Sequence, residues 1–140
     1  MGIRLNRPTE PVWVDLGRGA AVLAEAPSTP TVYAARAAAQ ALFVELVEAG
    51  EAVTRAGGRI TGLPDLTDPM QAKGQQDALF VVCLAEIVVS DWKGILSAEG
   101  TEVEFDPALL VFLFEDHAAA DRFMGNYLHP LNQVVAEGNA

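Results

Sequence analysis

The residues from Ala78 to Val89 form an almost unbroken apolar run, interrupted only by Glu86. A helix that is apolar on every side is not stable on a protein surface, so this run predicts a central helix with other elements packed around it. Its valine and isoleucine content leaves a buried strand as the alternative. Because Glu86 divides the run, no uncharged apolar stretch reaches the ~18 residues expected of a membrane-spanning helix. The sequence therefore predicts no membrane partner.

Start and stop signals for helices surround this run. Asp68 followed by Pro69 predicts the N-cap and first residue of the helix that contains it, since proline needs no hydrogen-bond donor there. Upstream, Thr29 and Pro30 predict the cap and first turn of a long amphipathic helix that ends near the Gly57-Gly58 pair. The apolar stripe of this helix comprises Val32, Ala35, Ala39, Leu42, Phe43, Leu46, Ala49 and Val53.

Two shorter helices are predicted toward the C-terminus. Asp106-Pro107 repeats the cap and first-turn pattern and begins a short helix. The acidic pair Glu115-Asp116 begins another helix, which extends to Leu128. Pro130 cannot continue the hydrogen-bond ladder, so this last helix is expected to break or kink near His129.

Two glycine-containing turns predict β-hairpins. Near the N-terminus, residues 11–16 and 20–26 flank Gly17-Arg18-Gly19 with alternating or apolar patterns. In the centre, residues 91–107 form a polar, turn-rich island between the two most apolar helical segments. Its Glu99-Gly100 turn predicts a small hairpin onto which the rest of the chain packs. The flanking side chains are Trp92 and Ile95 on one side and Val103 and Phe105 on the other.

Together these elements predict one domain spanning residues 1–140. Its fold class is mostly helical, an α-rich α+β arrangement of about four helices with a short N-terminal β-hairpin and a small central hairpin. Residues 1–10 are expected to form a loosely held arm and residues 137–140 a frayed tail. The N-terminus lacks the apolar segment of a secretory signal, and a single cysteine, Cys83, fits a reducing compartment. A cytoplasmic location is therefore expected.

The charge balance excludes one class of partner. The formal net charge is −10, from 19 acidic and 9 basic residues, and the bases form no cluster. Since binding to phosphate backbones depends on clustered Lys and Arg, nucleic acid is not an expected partner. The mean hydropathy of +0.22 is nevertheless high for so acidic a chain. The apolar surplus is either buried in a helical core or displayed to a partner.

The patterns that suggest catalysis or cofactor binding are weak. Gly17-x-Gly19 lacks the third glycine of a dinucleotide loop, and Pro27 and Pro30 block the helix that must follow such a loop. Cys83 lies among apolar neighbours, which disfavour the thiolate that a nucleophile requires. We therefore expect no cofactor, no catalytic residue and no enzymatic activity.

Three residues near the C-terminus could be imagined as metal ligands. His117 and Asp121 are four residues apart and share a helix face, and His129 follows. Their spacing matches no known zinc pattern, so they are interpreted as exposed or capping residues. No bound metal is expected.

Glu86 is the most informative single charge in the sequence. An ionised carboxylate is not buried without a partner, yet Glu86 lies within the most apolar run. It therefore lines a solvated stripe, pairs with a base such as Arg36, Arg122 or Lys93, or sits in a groove that a partner occupies.

Several short motifs connect the chain to a known family. They are Trp92-x-Gly94-Ile95, the Glu99-Gly100 turn, Val103-x-Phe105-Asp106-Pro107, Asp121-x-Phe123 with Tyr127, Glu137-Gly138-Asn139, and Val12-Trp13-Val14-Asp15-Leu16. With these motifs the chain resembles the small tail assembly chaperones of long-tailed phages and gene transfer agents. The resemblance covers most of the chain and brings no catalytic residue with it.

This resemblance implies a protein that binds the tape measure protein while the tail assembles. Apolar clusters in the two C-terminal helices exceed one core-facing stripe, so they predict a partner surface, a larger core or a homodimer seam. The alternatives to a chaperone are a structural tail or neck component and a generic helical protein-interaction domain. The predicted partner-binding residues are Phe112, Phe123, Tyr127, Trp92 and Glu86.

Overall fold

A computed structural model of the protein describes Gly2 and residues 10–58 and 65–128. The expected fold class is confirmed, because helices dominate and an N-terminal hairpin belongs to a small antiparallel sheet. The expected terminal tail at 137–140, most of the arm at 1–10 and the break near His129 lie outside the described residues. The elements are β1 (Val12–Gly17), β2 (Ala20–Ala24), α1 (Thr29–Arg55), α2 (Pro69–Val88), β3 (Val89–Lys93), a 3-10 helix (Pro107–Leu109), α3 (Leu110–Leu113) and α4 (His117–Leu128).

The sheet has the order β1-β2-β3 and buries one face. Val14, Val22 and Trp92 lie side by side across the three strands, and all three are buried. The neighbouring row, Trp13 and Asp91, is exposed. This alternation is the pattern of a sheet with one packed face and one solvated face.

Capping side chains mark where the two long helices begin. The side chain of Asp68 accepts a hydrogen bond from the Met70 N–H at 3.3 Å, which confirms the predicted start of α2. For α1 the N-cap is Ser28, whose hydroxyl accepts from the Thr31 N–H at 3.3 Å. The predicted cap, Thr29, is instead the first residue of α1, because Ser28 supplies the acceptor one position earlier.

Strand β3 was not predicted from the sequence. The expected central helix ends at Val88, and Val89 takes an extended conformation at once, without an intervening loop. The reason is the sheet, because β3 pairs with the edge of β2 that β1 leaves open. The predicted central helix is confirmed up to Val88, and only Val89, the last residue of the apolar run, belongs to a strand.

The central hairpin is present in a reduced form. One bridge joins Leu96 to Glu102, and Gly100 has a φ of 83° in the turn between them. The loop closes over Trp92, whose Nε1–H donates to the Val103 carbonyl at 2.8 Å. The Phe105 ring meets the Trp92 ring edge to face, with centroids 5.1 Å apart. The loop from residue 94 to residue 106 thus covers the buried face of β3.

The core lies between the sheet, the C-terminal half of α2 and the helix α4. Its largest fully buried side chains are Tyr127, Phe123, Leu16, Leu84, Leu110, Val22 and Val88. Cys83 is 4% exposed, so the expectation that it is a core residue is confirmed. Of the apolar stripe predicted for α1, only Ala35 and Ala39 are buried. Most of that stripe is not part of the core.

Replacing Asp106 with alanine is expected to lower the free energy of unfolding by about 1 kcal/mol, the usual cost of losing an N-cap. The Asp106 carboxylate accepts from the Ala108 N–H at 3.0 Å and begins the 3-10 helix at Pro107. The measurement is a urea melt, with Glu104→Ala as the matched control because Glu104 is also exposed and lies in the same loop. Equal unfolding midpoints for the two variants would contradict the capping role.

Candidate partner-binding site

The structure separates the five predicted partner-binding residues into two groups. Phe123, Tyr127 and Trp92 are 0%, 1% and 6% exposed. Phe112 is 63% exposed and Glu86 is exposed. The expectation that Phe123, Tyr127 and Trp92 anchor a partner is therefore corrected, because side chains at this depth of burial cannot contact another protein while the fold is intact.

Contacts with the sheet explain why the aromatic residues of α4 are buried. The Phe123 ring lies 5.1 Å from the Phe114 ring and stacks on the Tyr127 ring at 5.2 Å. The Tyr127 hydroxyl donates to the Glu25 carbonyl at 2.5 Å. Asn126 adds a hydrogen bond from its side-chain amide to the Asp15 carbonyl at 2.8 Å. These two bonds attach the last turn of α4 to β1 and to the residue that follows β2.

The phenol of Tyr127 makes the free energy of unfolding depend on pH. Burial, with a further contribution from Glu25, raises the pKa of Tyr127 to about 12. The unfolded chain then loses this proton before the folded chain does. Stability is expected to be at its full value below pH ~10 and to fall as the pH rises from about 10 toward about 12.

Urea melts at several pH values from 8 to 11 test this expectation. In Tyr127→Phe the alkaline decrease should become shallower, because the group that titrates is gone. Tyr33→Phe is the matched control, since Tyr33 is 62% exposed. An identical alkaline decrease in Tyr127→Phe and in the unmodified protein would show that Tyr127 is not the source.

Glu86 lies on the exposed face of α2, one turn from Cys83. Within the described residues it forms no ion pair, and two of its three expected partners lie over aromatic rings. The Arg36 guanidinium lies over the Phe80 ring at 5.5 Å, and the Lys93 ammonium lies over the Trp13 ring at 4.3 Å. The interpretation of Glu86 as part of a solvated stripe fits this position. Burial raises the pKa of the Cys83 thiol, and the charge of Glu86 raises it further.

A different part of the molecule has the features of a partner surface. We define the distal arm as residues 40–55 of α1 together with residues 69–78 of α2. Among the described residues, none of the distal arm is buried, and none is an apolar residue packed against the core. Helix α1 has 27 residues, a length of about 40 Å at 1.5 Å per residue. The core therefore supports only its first part.

The two helices of the arm run antiparallel. Arg36 near the start of α1 lies over Phe80 in the second half of α2. Val47 and Val53 near the end of α1 share a groove with Gln75 in the first half of α2. This pairing of early with late positions requires opposite directions, so the arm is a helical hairpin whose distal part extends beyond the core.

The arm displays large apolar side chains to solvent. Leu42, Val44 and Val53 are 41%, 43% and 41% exposed, and Met70 is 83% exposed. Leu42 and Val53 share one face of α1, since they are eleven residues apart. Singly exposed apolar residues are common on protein surfaces, but several that lie together beyond the core indicate an interaction surface.

Part of this surface is concave. A groove of about 870 Å³ lies between the end of α1 and residues 65–67. We call it the arm groove. Its apolar lining includes Leu46, Val47, Ala49, Val53 and Leu66.

Acidic residues border the arm groove. Glu51 and Asp65 both line it. The Thr67 hydroxyl and N–H donate to the Asp65 carboxylate at 2.6 and 3.0 Å, and these bonds hold the pKa of Asp65 below its usual value. Arg55 is the one base among the described lining residues, and its Nε–H donates to the Glu51 carbonyl at 3.3 Å. The groove thus combines an apolar floor with a predominantly acidic edge.

The described residues form neither a metal-binding cluster nor a membrane-spanning helix. Residues 10–58 and 65–128 contain no group of three or more His, Cys, Asp or Glu side chains that could hold a metal ion. His129, one of the three residues weighed as metal ligands, lies outside the described residues. No described helix has both the length and the apolar character needed to cross a membrane.

One feature of the sequence indicated the distal arm. The stripe runs from Val32 to Val53 in a helix of 27 residues, about twice the length of an average helix in a globular protein. The aromatic residues of α4 indicated a partner surface more strongly, so the predicted partner-binding residues included side chains that lie in the core.

Comparison with protein families identifies the family of this chain. A family model described as YdaY prophage protein matches residues 33–128, which is more than half of the chain. The matched region begins within α1 and ends at the last residue of α4, so it includes both helices of the distal arm. No curated protein and no solved structure matches the chain.

Proposed function

The chain belongs to the YdaY prophage protein family, and from this phage origin we propose that it is a tail assembly chaperone that binds the tape measure protein. It acts by binding, without catalysis, in the cytoplasm of the host. The resemblance of its short motifs to tail assembly chaperones supports this proposal. The family match supports the coarser part, that the protein is phage-related.

The distal arm is the observation that carries the proposal. A chaperone for a long helical client must present apolar surface to it before the client is packed into the tail. The arm does so through Leu42, Val53 and Met70, which are exposed although the core of the same molecule is well formed. An apolar helical groove is a common means of binding an amphipathic helix.

The acidic composition suits the same role. With a net charge of −10, the chain repels other copies of itself and keeps a complex with an apolar client in solution. Aggregation of exposed apolar surface is the main hazard for such a protein.

Co-expression with the tape measure protein of the same prophage tests the proposal. We expect the tape measure protein to be soluble and to co-purify with this chain, and to be largely insoluble without it. Equal solubility in both cases, with no co-purification, would contradict the proposal. A protein that stays in purified particles would instead be a structural tail or neck component.

A matched pair of variants locates the binding surface. Leu46→Gln combined with Val53→Gln removes apolar contacts from the arm groove without adding charge. We expect binding to weaken at least about tenfold, since burying one such side chain contributes about 1.5–3 kcal/mol. Leu96→Gln is the control, because Leu96 is 57% exposed but lies in the central turn. Phe112→Gln tests the one aromatic residue predicted to bind a partner that is exposed in the fold.

A further inference from the structure

We propose that the arm groove selects an amphipathic helix whose apolar stripe is bordered by lysine or arginine side chains. This inference rests on the proposed function, because it specifies which segment of a client the same groove binds. It follows from the arrangement of apolar and acidic residues around the groove.

The apolar residues of the groove have the spacing that accepts a helix. Leu46, Gly50 and Val53 follow one another at intervals of four and three residues, so they lie along one face of α1. Leu66 lies on the opposite wall. Side chains at positions i, i+3 or i+4, and i+7 of a partner helix can pack between these walls.

The acidic residues lie where the polar borders of such a helix would be. Glu51 stands on the α1 wall, and Asp65 stands on the other wall. A helix in the groove therefore has Glu51 on one edge and Asp65 on the other, and these two carboxylates outnumber Arg55, the one base among the described lining residues. Lysine or arginine at the borders of its stripe would be attracted to them, and acidic residues there would be repelled.

The same charges argue against a second copy of this chain as the occupant. Two copies pairing symmetrically through the groove would bring Glu51 and Asp65 of one copy close to Glu51 and Asp65 of the other. Like charges placed together in this way are unfavourable. A partner helix with the opposite charge removes the repulsion, so the basic amphipathic helix is the occupant to which the observations point.

Binding of designed peptides tests this inference. Three fluorescent helical peptides share one leucine stripe and carry lysine, glutamine or glutamate at its borders. Fluorescence anisotropy with the full chain at low salt should give the tightest binding for the lysine peptide, at least tenfold tighter than for the glutamate peptide. The difference should shrink as salt is added, because salt screens exposed charges.

Reversing the acidic charges of the groove shows whether they cause the preference for the lysine peptide. Glu51→Lys combined with Asp65→Lys should reduce or invert the preference for the lysine peptide. Glu99→Lys combined with Glu102→Lys changes the net charge by the same amount in the central turn, and it should leave the preference intact. Equal binding of the three peptides, binding of none, or equal effects of the two double variants would overturn the inference. So would a dimer in sedimentation that the lysine peptide does not dissociate.

The failure of this inference can be distinguished from failure of the proposed function. If the tape measure protein co-purifies with Glu51→Lys/Asp65→Lys as well as with the unmodified chain, the chaperone proposal stands, and the proposed preference of the groove for a basic helix is wrong. If the lysine peptide binds in the groove but the tape measure protein never co-purifies, the preference for a basic helix stands, and the client is a different basic helix.

Discussion

Phe123→Ala is expected to lower the free energy of unfolding by about 3–5 kcal/mol, the usual cost of removing a buried phenylalanine. Phe123 is 0% exposed and lies between the rings of Phe114 and Tyr127, at 5.1 and 5.2 Å. Its removal leaves a cavity where α4 meets the sheet. A urea or thermal melt measures the loss directly.

Phe112→Ala is the control for this experiment. Phe112 is 63% exposed, so its truncation is expected to change stability by only about 0.5 kcal/mol or less. If Phe123→Ala had as small an effect, Phe123 would not be a core residue, and the hypothesis that it anchors a partner would have to be reconsidered.

Gly94→Ala is the second substitution with a large expected effect, a loss of about 2–5 kcal/mol of stability. Gly94 has a φ of 72°, and a Cβ atom there would lie 2.3 Å from the Gly19 carbonyl oxygen. Gly19 belongs to the β1-β2 turn, so an added methyl group would push this turn away from the end of β3. Backbone strain and a clash with fixed main-chain atoms thus act together.

Substitutions at two other glycines separate the cost of backbone strain from the cost of the clash. Gly100 has a φ of 83°, and no described atom lies within 4 Å of the position that an added methyl group would take. Gly100→Ala should therefore show the cost of strain alone, about 1–2 kcal/mol. Gly125 lies in α4 with free space around it, so Gly125→Ala should be neutral or slightly stabilising. If Gly94→Ala were no worse than Gly100→Ala, the contact between Gly94 and Gly19 would not be close.

Local signals predicted the boundaries of most elements. Aspartate followed by proline marked the start of α2 at Asp68 and of the 3-10 helix at Asp106, since both features act within one turn of the chain. The Gly17-Arg18-Gly19 turn marked the N-terminal hairpin, and all three of its residues have positive φ. These features depend on neighbouring residues only, so one sequence was enough to find them.

The features that the sequence did not predict share a cause, because each depends on contacts with residues far away in the chain. Strand β3 exists because it pairs with the edge of β2 that β1 leaves open, and an apolar run alone does not show where a buried helix ends and a strand begins. Phe123 and Tyr127 are core residues because α4 packs on β1 and reaches Glu25. Periodicity showed that α4 has an apolar face, but it did not show what covers that face.

The distal arm was not predicted as a partner-binding site, and the reason is different. The stripe of α1 has the pattern of a core-facing helix, yet nothing in the described chain buries it beyond Ala39. A pattern of this kind is the same whether the partner is the rest of the domain or another protein. The distal arm became visible only when the extent of the core was known.

Hydrogen exchange on the chain with and without the co-purified tape measure protein tests the central claim most directly. The claim predicts that backbone amides of the distal arm, residues 40–55 and 69–78, exchange more slowly in the complex, while those of the sheet and α4 are unchanged. Slower exchange confined to the region around Phe112, or no change in the distal arm, would contradict it.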